Sequence, residues 1–245
     1  MTFTDGRRRA ERFVKQMCGK DVWTWRQLKI QTITAGKEQY VICPDFLTSR
    51  SIVYSAGIGD DISFDLDIIK NFGAHVFGFD PSPVSIAWIE KYNLPLEFRF
   101  FPYGISDHDG EMLMFPPENP NSTSFPLARK TSVEPFEVCV MRLATIMKEL
   151  GHVRIDLLKL DIEGGEYAVI ADMVESDIRP GQVVVEFHHR FPQIGISKTK
   201  TALRQLKQAG YKIVHIESRG YVYSFVHRHL LSLKKEGVLV VKPEI

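Results

Sequence analysis

The stretch IVYSAGIGDDISFDLDII, residues 52–69, decides the fold class, because a short apolar run meets two glycines and then a helical pattern. Residues 51–56 predict a strand, and the apolar residues after Asp60 recur at helical spacing. Gly57 and Gly59 let the backbone turn sharply and come close to a ligand. In a parallel α/β sheet such a turn lies at the carboxyl end of a strand, where ligands bind.

The rest of the chain continues the alternation of strand and helix patterns. Apolar strand-like runs alternate with amphipathic segments, and LEFRFFPYGIS, residues 96–106, predicts one long third strand. Near the end, YKIVHIES and YVYSFVHRH predict two strands joined by a tight turn, which implies an antiparallel member. We therefore predict an α/β fold with a doubly wound, Rossmann-like, mostly parallel sheet and an antiparallel C-terminal strand.

Length and composition indicate one large domain. The chain has 245 residues, 44% hydrophobic and 25% charged, which suits a single globular core. We expect residues 1–50 to form an N-terminal cover that is not an independent domain, with a polar helix over residues 1–20. Trp23 and Trp25 suit either the core or a dimer surface, and we expect them in the core. Residues 51–245 form the main domain, and a loop near 115–132, rich in Pro, Asn and Ser, is a candidate lid.

Charge and cysteine content set expectations for partners and location. The formal net charge of +1 predicts neither nucleic acid nor membrane as a partner. Three cysteines without paired spacing argue against a disulfide framework. No secretory leader and no long uncharged apolar window is recognisable, so we expect a cytoplasmic protein, with a homo-oligomer left open.

An acid at the second strand end extends the ligand site. Asp80 follows the glycines by about twenty residues, the spacing at which a carboxylate binds a ribose diol. The segment Asp80-Pro81-Ser82 also suits the start of the next helix, and both roles can hold together. Ile62 stands where a dinucleotide fingerprint has its third glycine. Asp60 and Asp61 would repel a pyrophosphate and tolerate a sulfonium, unless they are solvated residues of the first helical turn.

The fourth and fifth strands end in a second group of chemical side chains. Asp161, Glu163 and Glu166 follow the fourth strand, and Glu186, His188 and His189 the fifth. Acid and imidazole at neighbouring strand ends can deprotonate a hydroxyl, and Asp161, Glu186 and His188 would also suit a divalent metal. The alternative is structural: Lys159 pairs with Glu163, and a histidine caps the strand.

Five segments together carry a family resemblance: VYSAGIGDDISFD, VFGFDPSP, YGISDHDGEMLMF, LLKLDIEGGEYAVI and VVVEFHHR. They resemble the FkbM-type methyltransferases, which depend on S-adenosylmethionine (SAM), and the most specific piece is KLDIEGGE. The resemblance covers residue 52 to the end of the fifth strand. It implies the class I methyltransferase fold, with seven strands of which the last is antiparallel. It also implies SAM as cofactor and O-methylation of sugars, polyketides or other secondary metabolites.

The resemblance and the positions of the residues together indicate individual roles. The catalytic candidates are His188 and Asp161, either of which can be the base that takes the hydroxyl proton. The expected acceptor contacts are His188 and Glu163, to which the composition and position of the loop add Asn121, Ser122 and Ser124; no residue is assigned to a metal. The expected cofactor contacts are Ser55, Ala56, Gly57, Gly59, Asp61, Asp80, Pro81, Ser106, Asp107 and Asp161. Ser55 departs from the acid that many class I enzymes have two residues before the first glycine, and Asp60 or Asp61 can substitute for it.

The leading hypothesis is O-methylation of a small-molecule or glycan acceptor. The alternatives are a NAD-type nucleotide-binding oxidoreductase and a SAM-binding module without catalysis. Ile62 and the aspartate pair count against the oxidoreductase, and Ser55 favours the module.

Overall fold

The computed structural model describes residues 3–116 and 134–235. The β-strands, in chain order, are β1 (Ile33–Ala35), β2 (Tyr40–Ile42), β3 (Ile52–Ala56), β4 (His75–Phe79), β5 (Phe98–Phe101), β6 (Gly104–Ser106), β7 (Gly110–Met114), β8 (Phe136–Arg142), β9 (Leu157–Leu160), β10 (Gln182–Glu186), β11 (Tyr211–Ile216) and β12 (Val222–His227). The α-helices are α1 (Phe3–Met17), α2 (Ser63–Phe72), α3 (Pro83–Ile89), α4 (Leu143–Leu150), α5 (Glu166–Glu175), α6 (Gly195–Gln208) and α7 (Arg228–Lys235).

The central sheet has seven strands in the order β11-β12-β10-β9-β3-β4-β5. Strand β12 runs antiparallel to both of its neighbours, and the other neighbouring pairs are parallel. From β3 the chain builds outward to β5 and then crosses back to β9 on the other side of β3. The strand order therefore reverses between β3 and β9, which is where a doubly wound sheet binds its ligand. This topology confirms the predicted fold class.

The middle of the sheet is buried on both faces. Val53 and Leu157 pack in the apolar cluster on one face, and Tyr54 and Leu158 pack in the cluster on the other. Successive side chains of a strand point to opposite faces, so a strand covered on both sides is mostly apolar. This explains the apolar character of β3 and β9, in which Ser55 and Lys159 are the buried polar exceptions.

The predicted third strand is wrong in its extent. Residues 96–106 form two strands, of which β5 joins the central sheet and β6 joins a separate sheet of order β6-β8-β7. Pro102 lies between them and has no N–H to continue the ladder of the first strand. The connection between β7 and β8 contains the proposed lid, most of which lies outside the described residues.

The N-terminal segment confirms the predicted helix and corrects the prediction for its tryptophans. Trp23 and Trp25 are 54% and 72% exposed and do not belong to the core. The reason lies in α1, which turns polar side chains toward the protein: Arg12 and Lys15 contact the tyrosines of the C-terminal hairpin. Across the described ranges, no helix has the length and apolar content that a bilayer-spanning segment needs.

Candidate functional site

A cavity of about 660 Å³ opens at the carboxyl ends of β3, β4, β9 and β10. This size is typical of sites for small molecules and cofactors. Its lining includes the glycine turn after β3, Asp80 after β4, Asp161 and Glu163 after β9, and His188 after β10. The strand ends singled out in the sequence therefore meet in one place.

The glycine turn is required by a close approach of two backbones. Gly57 has φ +83°, and a Cβ atom there would overlap the backbone oxygen of Asp161. The Gly57 amide donates to the carbonyl of Phe79 at 3.0 Å, which ties the turn to the end of β4. No other residue type fits this position without moving the end of β9.

Asp80 braces the turn from the next strand. Its Oδ2 accepts hydrogen bonds from the amides of Ile58 and Gly59, both at 2.9 Å, and its Oδ1 accepts from the amide of Ser82 at 2.8 Å. The carboxylate therefore holds the glycine turn and the start of α3, as the structural interpretation of the sequence expected. Because the side chain also lines the cavity, binding of a ribose diol stays a prediction.

Asp61 mainly stabilises the start of α2. Its carboxylate accepts from the amide and the hydroxyl of Ser63 at 2.9 and 3.0 Å, and it pairs with Lys37 at 3.2 Å. Burial works to raise the pKa of Asp61, but these hydrogen bonds and the lysine charge outweigh it and leave the pKa below its usual value. A helix start favours such a carboxylate.

Two charged side chains lie under the turn, and the sequence analysis gave neither a role there. Lys159 is almost fully buried and donates to the carbonyl of Gly57 at 2.8 Å. Asp65 of α2 is also buried, and burial raises its pKa to about 6 against the opposing effect of Lys159. Asp65 lies three residues before the buried Ile68, on the same side of α2, and this helical spacing was the signal in the sequence that Asp65 is buried. The buried acid near Ser55 is thus Asp65, rather than Asp60 or Asp61.

His188 is held in one orientation by Glu166. The histidine is 1% exposed, and its amide and Nδ1 lie 2.9 and 3.2 Å from Glu166 Oε1. The other oxygen of Glu166 accepts from the amide of Gly164 at 2.8 Å, which fixes the turn after β9. The Nε2 atom of His188 then lies 3.7 Å from Asp161 Oδ1 and 3.5 Å from Glu163 Oε2.

The surrounding carboxylates set the charge of this histidine. Burial alone would lower the pKa of His188, but the hydrogen bond to Glu166 and the charges of Glu166, Glu163 and Asp161 outweigh it and raise the pKa to about 9. Burial and the charge of Asp161 likewise raise the pKa of Glu186. The free site therefore balances an imidazolium against several acids at neutral pH.

His189 points elsewhere, as strand alternation predicts. Burial and the nearby cations, Arg190 foremost, lower its pKa to about 4, so that it is neutral at physiological pH. Its Nδ1 lies 3.3 Å from the hydroxyl of Thr199, and the residue does not line the cavity. This placement gives His189 a structural role on the other side of the strand.

Tyr40 is a site residue that the sequence analysis missed. Its hydroxyl donates to Asp161 Oδ2 at 2.7 Å, and its ring lies 5.2 Å from the Lys159 ammonium. Burial and the charge of Asp161 raise its pKa well above the usual value, so the hydroxyl keeps its proton. Tyr40 lies 121 residues before Asp161 in the chain, and no local sequence pattern predicts a contact over that distance.

The same cluster has the composition of a metal site. One donor atom each of Asp161, Glu163 and His188 lie within 4.8 Å of one another, close enough for one divalent cation. Glu163 here takes the place that the sequence analysis gave to Glu186.

The remaining predicted residues divide into three groups. Pro81, Ser106 and Asp107 line the cavity, as do Gly57 and Gly59. Ser55 and Ala56 are fully buried in β3 and are not among the residues that line the cavity, so their contact with a cofactor stays a prediction. The proposed acceptor contacts Asn121, Ser122 and Ser124 lie outside the described residues.

Comparison with known proteins agrees with this geometry. The model of the methyltransferase FkbM domain matches residues 54–213, more than half of the chain. Two curated relatives are each named probable methyltransferase-like protein 24. The human protein is 25% identical over 200 residues, which are 75% of this chain and 46% of that protein. The rat protein is 23% identical over 215 residues, 81% of this chain and 50% of that protein.

The chain thus spans about half the length of the curated relatives it matches. Among solved structures, a methyltransferase FkbM from Methylobacillus flagellatus aligns with a TM-score of 0.47 at 12% identity, over 74% of this chain and 44% of that one.

Proposed function

The chain belongs to the FkbM methyltransferase family, and from that premise we propose that it methylates a hydroxyl oxygen of a small molecule or glycan held beside His188. The single observation that supports this acceptor chemistry is the His188–Glu166 pair, in which Nδ1 is engaged and Nε2 is directed at the cavity. A hydroxyl needs to lose its proton as its oxygen is methylated, and a positioned imidazole is the usual group to take it.

The cavity suits SAM, the cofactor of this family, by its size and by the charge of its lining. The glycine turn lets a ligand approach the backbone, and Asp60, Asp80 and Asp161 give the lining an acidic character. Carboxylates favour a cationic ligand and repel a phosphate. When bound, SAM supplies the electrophilic methyl group of its sulfonium.

The residues of the site then divide the work. Neutral His188 accepts the hydroxyl proton at Nε2, and the carboxylate of Glu166 stabilises the imidazolium that forms. Asp161, fixed by Tyr40, orients the acceptor hydroxyl or a ligand ammonium, and Glu163 lies on the acceptor side. A cation bound in the cavity disfavours a second one, which shifts His188 toward its neutral form.

Further parts of the proposal rest on position alone. We assign cofactor contacts to Gly57, Gly59, Asp80, Ser106 and Asp107, of which all line the cavity. Asn121, Ser122 and Ser124 stay proposed acceptor contacts. The three cysteines are free thiols, which supports a reducing compartment such as the cytoplasm.

The chain offers a matched pair of histidines for the test. We expect His188→Gln to lower turnover of SAM with a hydroxyl acceptor by about 10²-fold or more, while SAM binding measured by calorimetry stays within a few-fold. His189→Gln is the control, because this neighbour is also buried but is not among the residues that line the cavity.

Four results would contradict the proposal. Equal turnover in His188→Gln would remove the histidine from the chemistry. Transfer to amines but not to hydroxyls would change the acceptor class. Saturable SAM binding without turnover on any acceptor would favour the non-catalytic module, and binding of NAD in place of SAM would favour the oxidoreductase.

A further inference from the structure

The N-terminal helix α1 is attached to the protein by its polar side. Arg12 donates to the hydroxyl of Tyr223 at 3.1 Å and pairs with the buried Asp21 at 3.1 Å. Lys15 donates to the hydroxyl of Tyr221 at 3.0 Å, and its ammonium lies 5.3 Å from that ring. These contacts fix the rotation of the helix about its axis.

The opposite side of α1 is apolar and exposed. Phe13, Val14 and Met17 are 55%, 59% and 67% exposed, and Phe13 packs edge-on against Trp23 at 5.8 Å between ring centroids. Trp25, two residues after Trp23 in the chain, is also exposed. We call Phe13, Val14, Met17, Trp23 and Trp25 the N-terminal apolar face. An amphipathic helix of a globular protein normally turns this side to the core, so the orientation here is the reverse of the usual one.

Basic residues surround this face. Residues 1–30 contain eight Lys or Arg against three Asp or Glu, whereas the whole chain has a net charge of only +1. Arg7, Arg8, Lys20, Arg26 and Lys29 are exposed. The expectation of no membrane partner was based on the charge of the whole chain. That charge averages a basic N-terminal segment with an acidic remainder.

We propose that the N-terminal apolar face docks on the surface of an anionic lipid bilayer. Aromatic and aliphatic side chains with arginine and lysine beside them are the composition of helices that lie in the headgroup region. Tryptophan favours that boundary, where one part of the ring is apolar and another wet. A second copy of the chain fits less well, because a symmetric contact would bring two basic segments together.

The polar side of α1 lies next to residues that line the cavity. The ring of Tyr221, which Lys15 contacts, also lies 5.1 Å from the guanidinium of Arg190 and 6.0 Å from that of Arg219. Both arginines line the cavity. Docking by α1 would therefore bring the opening near a lipid surface, and this inference does not depend on which acceptor is methylated.

The test uses the full chain and vesicles of phosphatidylcholine with about one third phosphatidylserine, measured by co-sedimentation. We expect binding that weakens as salt rises, with a blue shift of tryptophan emission. The double variant Val14→Asp/Met17→Asp should bind at least ten-fold more weakly. Val153→Asp is the matched control, because Val153 is 91% exposed and is not part of the face.

SAM binding by calorimetry should be equal in all three proteins, which shows that they are folded. The inference is overturned if the wild type does not sediment with anionic vesicles, or if the double variant binds them as well as the control. A concentration-dependent dimer that the double variant abolishes, without vesicle binding, would assign the face to a second copy. Retention of single-stranded RNA without vesicle binding would assign it to nucleic acid.

Discussion

Replacing Glu166 by Gln should make the stability of the protein lose its dependence on the charge of His188. The pKa of His188 rises from 6.5 to about 9 in the folded protein, because Glu166, Glu163 and Asp161 outweigh the effect of burial. This difference corresponds to about 3 kcal/mol of folding free energy. Because the pKa is higher in the folded protein, protonation of His188 stabilises the fold. This stabilisation is complete below pH 6.5 and disappears as the pH rises through about 9.

Glu166 is the carboxylate within hydrogen-bond distance of the imidazole, so its charge carries a large share of this effect. We expect Glu166→Gln to lower the free energy of unfolding by about 2–3 kcal/mol more at pH 6 than at pH 9.5. A further loss, equal at both pH values, follows because the amide NH₂ would face the Gly164 N–H, at a cost of about 1–3 kcal/mol.

The assay is urea unfolding at the two pH values, for the wild type, Glu166→Gln, His188→Gln and the double variant. In the His188→Gln background, Glu166→Gln should lose its pH dependence, since no imidazole remains to titrate. An equal loss at pH 6 and pH 9.5 in the His188 background would refute the assignment, and a larger loss at pH 9.5 would reverse its sign.

Three other changes test separate contacts of the site. Gly57→Ala should abolish SAM binding in calorimetry and lower the melting temperature, because the added methyl group meets the Asp161 carbonyl. Gly110→Ala is the control: Gly110 also has a positive φ but has open space around it, so this change should affect only stability. Equal SAM binding in both variants would contradict the close approach of Gly57 to Asp161. Tyr40→Phe should reduce kcat/KM by about ten-fold, the worth of one hydrogen bond to a carboxylate, and unchanged kinetics would leave Tyr40 a packing residue. Chelation with EDTA should leave turnover unchanged, because His188 acts as a base; a loss restored by Mg²⁺ or Mn²⁺ would instead make the cluster a metal site.

The site could be predicted from the sequence to the extent that it depends on strand ends. Parallel strands deliver their carboxyl ends to one edge of the sheet, so Asp80, Asp161 and His188 had to converge once the alternation was recognised. The pairing of His188 with Glu166 also joins two strand ends, although its geometry depends on the turn that Glu166 itself fixes.

Contacts between distant segments were not predictable in this way. The hydrogen bond from Tyr40 to Asp161 and the burial of Lys159 depend on how the N-terminal cover packs, and no periodicity encodes that packing. The outward apolar side of α1 was missed for the same reason, since a pattern shows that a helix has two sides but not which one meets the protein. By contrast, Pro102 did offer a local signal for the break between β5 and β6.

The attachment of α1 to β12 also constrains the order of events during synthesis. Lys15 and Arg12 contact partners that lie 206 and 211 residues later in the chain. At translation rates of about 5–20 residues per second, the helix leaves the ribosome roughly 10–40 s before Tyr221 and Tyr223 exist to receive it. During that interval Arg12 and Lys15 are without their tyrosine partners, and α1 is fixed by a hairpin that is made more than 200 residues later.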